Sequence, residues 1–154
     1  MVNAQGKKIV IYADGSSLNN PGKGGYAALL LFFDGKNLLH EKMVSGCKKQ
    51  ASNNQMELQS LIHGLKSLKK DKAKKYKIDV FMDSMYVING LTQWRESWEF
   101  RNFRGVKNIE LWKELYELWD EYNDISIQHV KAHNGQVYNE RVDKEAHSRA
   151  SQCK

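Results

Sequence analysis

A chain of 154 residues, 41% of them apolar and with a single proline, Pro21, can bury its own core and has the wrong composition for a disordered or proline-rich linker. Its formal charge of +6 suits a polyanionic partner but suits plain solubility equally well, so charge alone selects no function. The longest wholly apolar run, Tyr26 to Phe33, is too short to span a bilayer, and no signal peptide precedes the first strand; two cysteines, Cys47 and Cys153, do not make the disulfide framework of a secreted domain. The expectation is one domain over residues 1–154, in a reducing cytoplasm and away from membranes.

In chain order, Lys8 to Ala13 is rich in β-branched and aromatic residues and predicts a strand. A Gly/Asn/Pro turn leads to a second strand, Tyr26 to Phe33, and Asp34-Gly35 offers a tight hairpin turn into a third, Leu38 to Gly46. After "QASNN" the period changes, because Leu58, Leu61, Ile62, Leu65 and Leu68 mark the apolar stripe of an amphipathic helix from about Asn54 to Lys70. "KIDVFM" predicts a short buried strand, and "DSMYVINGL" a short helix capped by Asp83 or Ser84. "NIELWKELYELWDEY" predicts a longer helix, "ISIQHV" a fifth strand, and Asn139 to Ser151 the last helix. The order βββαβαβα predicts an α/β fold, a five-stranded mixed sheet with helices packed on it. His129 alternates with Ile125 and Ile127 and is expected to face the core.

Four acidic residues fall at strand ends and helix starts on what would be one edge of that sheet: Asp14, Glu57, Asp83 and Asp143. Glu57 is placed in the first turn of its helix, where the tilt of helical side chains sends it back toward the helix start. Taken singly, each has a plain structural explanation as a turn, a cap or a solvated carboxylate. Taken together they would repel one another unless hard divalent cations used them as oxygen ligands. His133, on a loop with Gly135 between the fifth strand and Asp143, suits proton handling or product release.

The motifs "YADGSSLNNPGKGGYAALL", "SNNQMEL", "MDSMYV" and "VKAHNGQVYNERVDKEA" resemble, in order and spacing, those of type 1 ribonuclease H over nearly the full chain. The resemblance implies the ribonuclease H-like fold, Asp14, Glu57, Asp83 and Asp143 as metal ligands, and His133 as a catalytic neighbour. It also implies hydrolysis of the RNA strand of an RNA/DNA hybrid, to 5′-phosphate and 3′-hydroxyl ends, by a monomeric enzyme. Two Mg²⁺ ions, or Mn²⁺ in their place, would lie roughly 3.5–4 Å apart, with Asp14 bridging them.

Substrate contact is expected from Gly15, in a backbone left open beside the site, and from Asn20, Ser52, Asn53 and Asn54, whose short polar side chains suit phosphate and sugar; one of the latter group would also cap the helix. "WRESWEFRNFRGVK" resembles the family's substrate-binding handle, with Trp94, Arg101, Arg104 and Lys107 as contacts, although it is shorter and less basic than in the best-known bacterial members. Of the seven lysines between Lys66 and Lys77, those from Lys69 onward are expected to be a solvated far end. Two residues depart from the family pattern: Ala132 where glycine is usual before the histidine, and Met85 where many relatives carry glutamine. A non-catalytic hybrid-binding module, and the ribonuclease H part of a reverse transcriptase, are the alternative readings.

Overall fold

The computed structural model describes residues 6–68, 73–130 and 136–154. Five strands form one sheet in the order β3-β2-β1-β4-β5. They are β1 (Lys7–Ser17), β2 (Gly22–Asp34), β3 (Asn37–Ala51), β4 (Lys77–Met82) and β5 (Ile125–His129). The first three form an antiparallel meander, whereas β4 and β5 run parallel to β1. The sheet is therefore mixed, as the sequence predicts, and the carboxyl ends of β1, β4 and β5 leave it at the same edge.

The meander strands run longer than their apolar patterns. β3 extends from Asn37 to Ala51 because backbone pairing with β2 continues beyond Gly46, through Cys47 and Lys48 to the buried Ala51 opposite Gly22. The hairpin turn sits one residue later than expected, at Gly35-Lys36 between the paired Asp34 and Asn37, with only Gly35 at positive φ (+60°). The peptide bond between Asn20 and Pro21 is cis.

Helix α1 (Asn53–Lys66) starts where its side chains satisfy its own orphan N–H groups. Ser52 Oγ accepts from Gln55 N at 3.1 Å and Gln55 Oε1 accepts from Ser52 N at 2.9 Å, a reciprocal capping box. Helix α2 (Met85–Asn89) is capped by Ser84, whose Oγ accepts from Val87 N, so Asp83 is not the cap. The chain then passes through a π-helical turn (Gly90–Trp94) directly into α3 (Arg95–Phe100), where the sequence predicts only a short helix. Gly90 lies against the Trp112 ring of α4 (Ile109–Trp119), and the Tyr116 hydroxyl donates to the Gly90 carbonyl at 2.6 Å. Arg95 ties this turn to α4 through Asp120, with Nη1 to Oδ1 at 2.7 Å, and lies over the Tyr116 ring.

Alternation along β1 splits the core between the two faces of the sheet. Ile9, Ile11 and Ala13 pack with Leu58, Leu61, Ile62 and Leu65 of α1 and with Trp112 and Leu115 of α4. Val10 and Tyr12 pack with Leu29 and Leu31 of β2 and with Val142 and Ala146 of the last helix, α5 (Val137–Ser151). Contrary to the expectation for a reducing protein, Cys47 of β3 and Cys153 just past α5 are joined by a disulfide. The two positions are 106 residues apart in sequence, so no local pattern could pair them.

Helix α5 sits on β2 at backbone distance. A Cβ added at Gly25 would drive into the Ala146 carbonyl and the Ala150 nitrogen. Gly25→Ala is expected to lift the helix and cost on the order of 1–3 kcal/mol, the range for overpacking a tight contact, seen as a lower urea midpoint. Leu39→Ala, on the exposed part of β3, should stay within about 0.5 kcal/mol of the parent in the same titration.

Candidate metal centre and active site

At the carboxyl edge of the sheet, Asp14, Glu57 and Asp83 each offer a carboxylate oxygen, and these oxygens all lie within 4.8 Å of one another. Three elements deliver them. Asp14 is near the end of β1, follows the parity of Val10 and Tyr12, and is 4% exposed. Asp83 directly follows β4, the parallel neighbour of β1. Glu57 comes from α1 on the opposite face, in the second turn and not the first, because the helix begins at Asn53.

Glu57 reaches the strand end because of Gly15. The Gly15 N–H donates to Glu57 Oε1 at 2.8 Å and to Asp14 Oδ1 at 2.9 Å. A Cβ at Gly15 would collide with the Met56–Glu57 peptide, so this glycine is the point where α1 meets β1. That contact within the protein by itself requires a glycine here.

The electrostatics of the three groups are unusual. Burial first, then repulsion from Asp83 and a hydrogen bond with Asp143, push the Asp14 carboxyl up to about 8. Burial and the charges of Asp14 and Asp83 hold Glu57 well above the usual carboxylate range. Asp83 is raised by burial and by Asp143, and is drawn partly back by hydrogen bonding and by His129. Among the described residues, no lysine or arginine is among the charges acting on Asp14 or Glu57. A desolvated set of hard oxygens without a cationic side chain fits a divalent metal, which would replace the protons that otherwise hold the cluster together.

Asp143, the fourth expected ligand, is exposed on α5 and lies outside the 4.8 Å group, although it acts on both Asp14 and Asp83. His133, Ala132 and Gly135 lie outside the described residues. His129 is not the core-facing ring that alternation predicts. It shares the parity of Ile125 and Ile127 but stands at the end of an edge strand, beyond the core, and is exposed toward Asp83.

Of the expected substrate contacts, Ser52 caps α1. Asn20 and Asn53 interlock at the loop beside the site: Asn20 Oδ1 accepts from Asn53 N at 2.9 Å and Asn53 Oδ1 accepts from Ser17 N at 2.7 Å. Both residues are exposed, as is Asn54, and the side-chain NH₂ groups of Asn20 and Asn53 are the donors these bonds do not use. Trp94 is half-buried in a ring cluster with Tyr86 and Trp98, while Arg101, Arg104 and Lys107 are exposed on the turn after α3. Met85 is exposed at the start of α2, next to the site.

Sequence reasoning missed a polar network behind the carboxylates. Gln55 Nε2 donates to Asn108 Oδ1 at 3.3 Å, Asn108 Nδ2 donates to Tyr86 Oη at 3.1 Å, and Trp112 Nε1 donates to the same Tyr86 oxygen at 2.9 Å. It ties the start of α1, and so Glu57, to α2 and α4. The only hint in the sequence is an asparagine at a helix start, here with φ +60°, a conformation asparagine tolerates better than most residues.

A family model described as RNase H matches residues 6–151. Ribonuclease H of Helicobacter acinonychis is 42% identical over 137 residues, 89% of each chain, and ribonuclease H of Campylobacter concisus is 38% identical over 148 residues, 96% of each. Among solved structures, RNase H1 of Halobacterium salinarum is 26% identical with a TM-score of 0.69, covering 94% of this chain and 98% of its own. LC11-RNase H1 in complex with an RNA/DNA hybrid shares the fold at 22% identity, with a TM-score of 0.69 and coverage of 94% and 97%.

The raised carboxyls predict how stability changes with pH. In the unfolded chain Asp14 releases its proton near pH 4, whereas in the fold it holds it to about 8. Its stabilising contribution is therefore complete below about pH 4 and is lost as pH climbs toward 8. In EDTA the thermal midpoint should fall from pH 5 to pH 8.5, and Mg²⁺ should raise it far more at the upper pH than at the lower. A midpoint that rises over this range in EDTA would contradict the assignment.

Proposed function

Since the chain belongs to the ribonuclease H family, we propose that it is an endoribonuclease that hydrolyses the RNA strand of RNA/DNA hybrids, leaving 5′-phosphate and 3′-hydroxyl ends. The observation that carries this reading is the convergence of Asp14, Glu57 and Asp83 from two strand ends and a helix. A non-catalytic hybrid-binding protein would have no use for three mutually repelling, desolvated carboxylates. The expectations of a single domain, a monomer and a cytoplasmic location stay with this proposal.

Asp14, Glu57 and Asp83 would hold the metal, with Asp143 completing the set from α5, and two Mg²⁺ ions are the proposed complement, with Mn²⁺ as a substitute. Bound there, such ions lower the pKa of water and neutralise charge on the phosphate. The protein's own part is placement. The Gly15 N–H fixes the Glu57 carboxylate before any ligand arrives, and the rigid β1–β4 pairing fixes the spacing of Asp14 and Asp83. Asn20, Asn53 and Asn54 are proposed to meet the sugar and phosphate of the RNA strand, and the 2′-hydroxyl is the group that separates RNA from DNA. His133, carried by resemblance alone, is proposed to handle a proton or assist product release. Trp94, Arg101, Arg104 and Lys107 are proposed to meet the hybrid farther along its axis.

Asp14→Asn removes one carboxylate of the cluster, the one that acts by charge on Glu57 and by hydrogen bonding on Asp83. Cleavage of labelled RNA in a hybrid should fall by several orders of magnitude, while the variant melts in EDTA at or above the parent's temperature because repulsion is relieved. Near-parental cleavage by Asp14→Asn would sink the mechanism.

Charge placement predicts a second contrast. Lys74 and Lys75 precede the start of β4 while Asp83 follows its end, and six strand residues at about 3.3 Å each put roughly 20 Å between them. Neutralising Arg101, Arg104 and Lys107 should raise KM for long hybrids, each lost phosphate contact flattening the logarithmic salt dependence by about 0.9. Neutralising Lys74 and Lys75 should change both far less, and a larger effect from this pair would place the hybrid on the wrong face.

A further inference from the structure

One face of the edge strand β3 is stitched to α5. Residues Glu41, Met43, Ser45 and Cys47 alternate along the strand and so share that face. Glu41 Oε1 accepts from Arg141 Nη2 at 2.8 Å, Met43 packs in the core under the helix, and Ser45 Oγ donates to Glu145 Oε2 at 2.8 Å. The seam ends in the Cys47–Cys153 disulfide, with Cα atoms 5.8 Å apart, ordinary for a cystine. Asp143 lies on the stitched helix between Arg141 and Glu145.

The three cross-links are unequal. Arg141 and Glu41 are each 41% exposed in their side chains, and such a pair in water contributes little. The Ser45–Glu145 bond is a single hydrogen bond in partial contact with solvent. The disulfide closes a loop spanning 106 residues, and a cross-link over so long a loop restricts the unfolded chain strongly. Access to it is from the Cys47 side, half-buried on an edge strand, because Cys153 is only 5% exposed; Cys153 becomes accessible when the chain end just past the last turn of α5, between the exposed Gln152 and Lys154, opens. Terminal turns open more readily than the core.

We propose that Cys47 and Cys153 form a thiol–disulfide latch whose redox state sets how firmly α5, and with it Asp143, is held on the sheet. Closure is an exchange with a small-molecule disulfide such as oxidised glutathione. One cysteine thiolate attacks it, forming a mixed disulfide and releasing one glutathione thiolate. The second cysteine thiolate then attacks the protein-bound sulfur and releases the other. In balance, two protein thiols and one glutathione disulfide give one protein disulfide and two glutathione thiols. In a reducing cytoplasm the latch stands open and the fold is held by the apolar contact of α5 on β2. Under oxidising conditions it closes. The latch stands independently of the proposed function, whereas its effect on Asp143 rests on the proposed metal site.

The test compares the full chain equilibrated with oxidised glutathione against the same chain in dithiothreitol, with Cys153→Ser and Cys47→Ser alongside. Mass spectrometry after alkylation counts thiols, calorimetry in EDTA gives the melting temperature, and a Mg²⁺ titration followed by protein fluorescence gives the half-saturating concentration. The oxidised chain should show no alkylated cysteine, melt several degrees higher, exchange α5 amide hydrogens more slowly and bind Mg²⁺ at a several-fold lower concentration than the reduced chain. Each serine variant should melt at one temperature in both media, close to that of the reduced parent. Thiols that stay alkylatable in oxidised glutathione, or equal melting temperatures for the two parent forms, overturn the latch. A latch that closes without moving the Mg²⁺ midpoint overturns its link to Asp143, while absence of Mg²⁺ binding in both forms overturns the metal site and leaves the latch standing on its own readouts.

Discussion

Three carboxyl groups within 4.8 Å, at the edge of an apolar core, set the terms on which this chain folds. Ionised together and without cations they would oppose the packing around them, since desolvated like charges are among the costliest arrangements in a protein. The fold tolerates them only by keeping protons on them or by accepting positive charge from outside. The raised carboxyls of Asp14, Glu57 and Asp83 express the first solution, and the donor set, all hard oxygens, is suited to the second.

Everything near the cluster serves to hold it in place against that repulsion. The parallel pairing of β1 with β4 makes the Asp14–Asp83 spacing a property of the sheet, not of side-chain choice. The contact of Gly15 with the Met56–Glu57 peptide brings a helix to backbone distance from the strand, and the Gly15 N–H then supplies Glu57 with a hydrogen bond. Behind α1, the Gln55–Asn108–Tyr86–Trp112 network anchors its first turn to α2 and α4. On the other face, α5 carries Asp143 on a bed made close by Gly25 and secured along β3. Rigidity of this kind positions ligands without reorganisation when a metal or substrate arrives.

Much of this was legible in the sequence, and the reasons are local. Apolar periodicity located all five strands and the main helices, because burial on one face leaves a period of 2 or 3.6 in the chain. Acidic residues at strand ends pointed to the site because parallel strands deliver their carboxyl ends to one edge. What stayed hidden depends on contacts between distant segments. Gly15 looks like a turn glycine until α1 is placed against it, and the Cys47–Cys153 pairing spans 106 residues. The continuous passage from α2 into α3 depends on the fit of Gly90 against Trp112, which no spacing announces. His129 was misread because alternation gives the side of the sheet but not whether the core extends that far along the strand.

Direct calorimetry of metal binding probes the central constraint without recourse to catalysis. Mg²⁺ is titrated into the protein at pH 7 in buffers of differing ionisation enthalpy. Because the Asp14 carboxyl is raised to about 8, most of it carries a proton at this pH, and binding must expel that proton into the buffer. The account predicts a saturable heat whose size changes with the buffer in the sense of proton release, and which disappears in Asp14→Asn. Binding with no proton released, or no saturable binding at all, would contradict it.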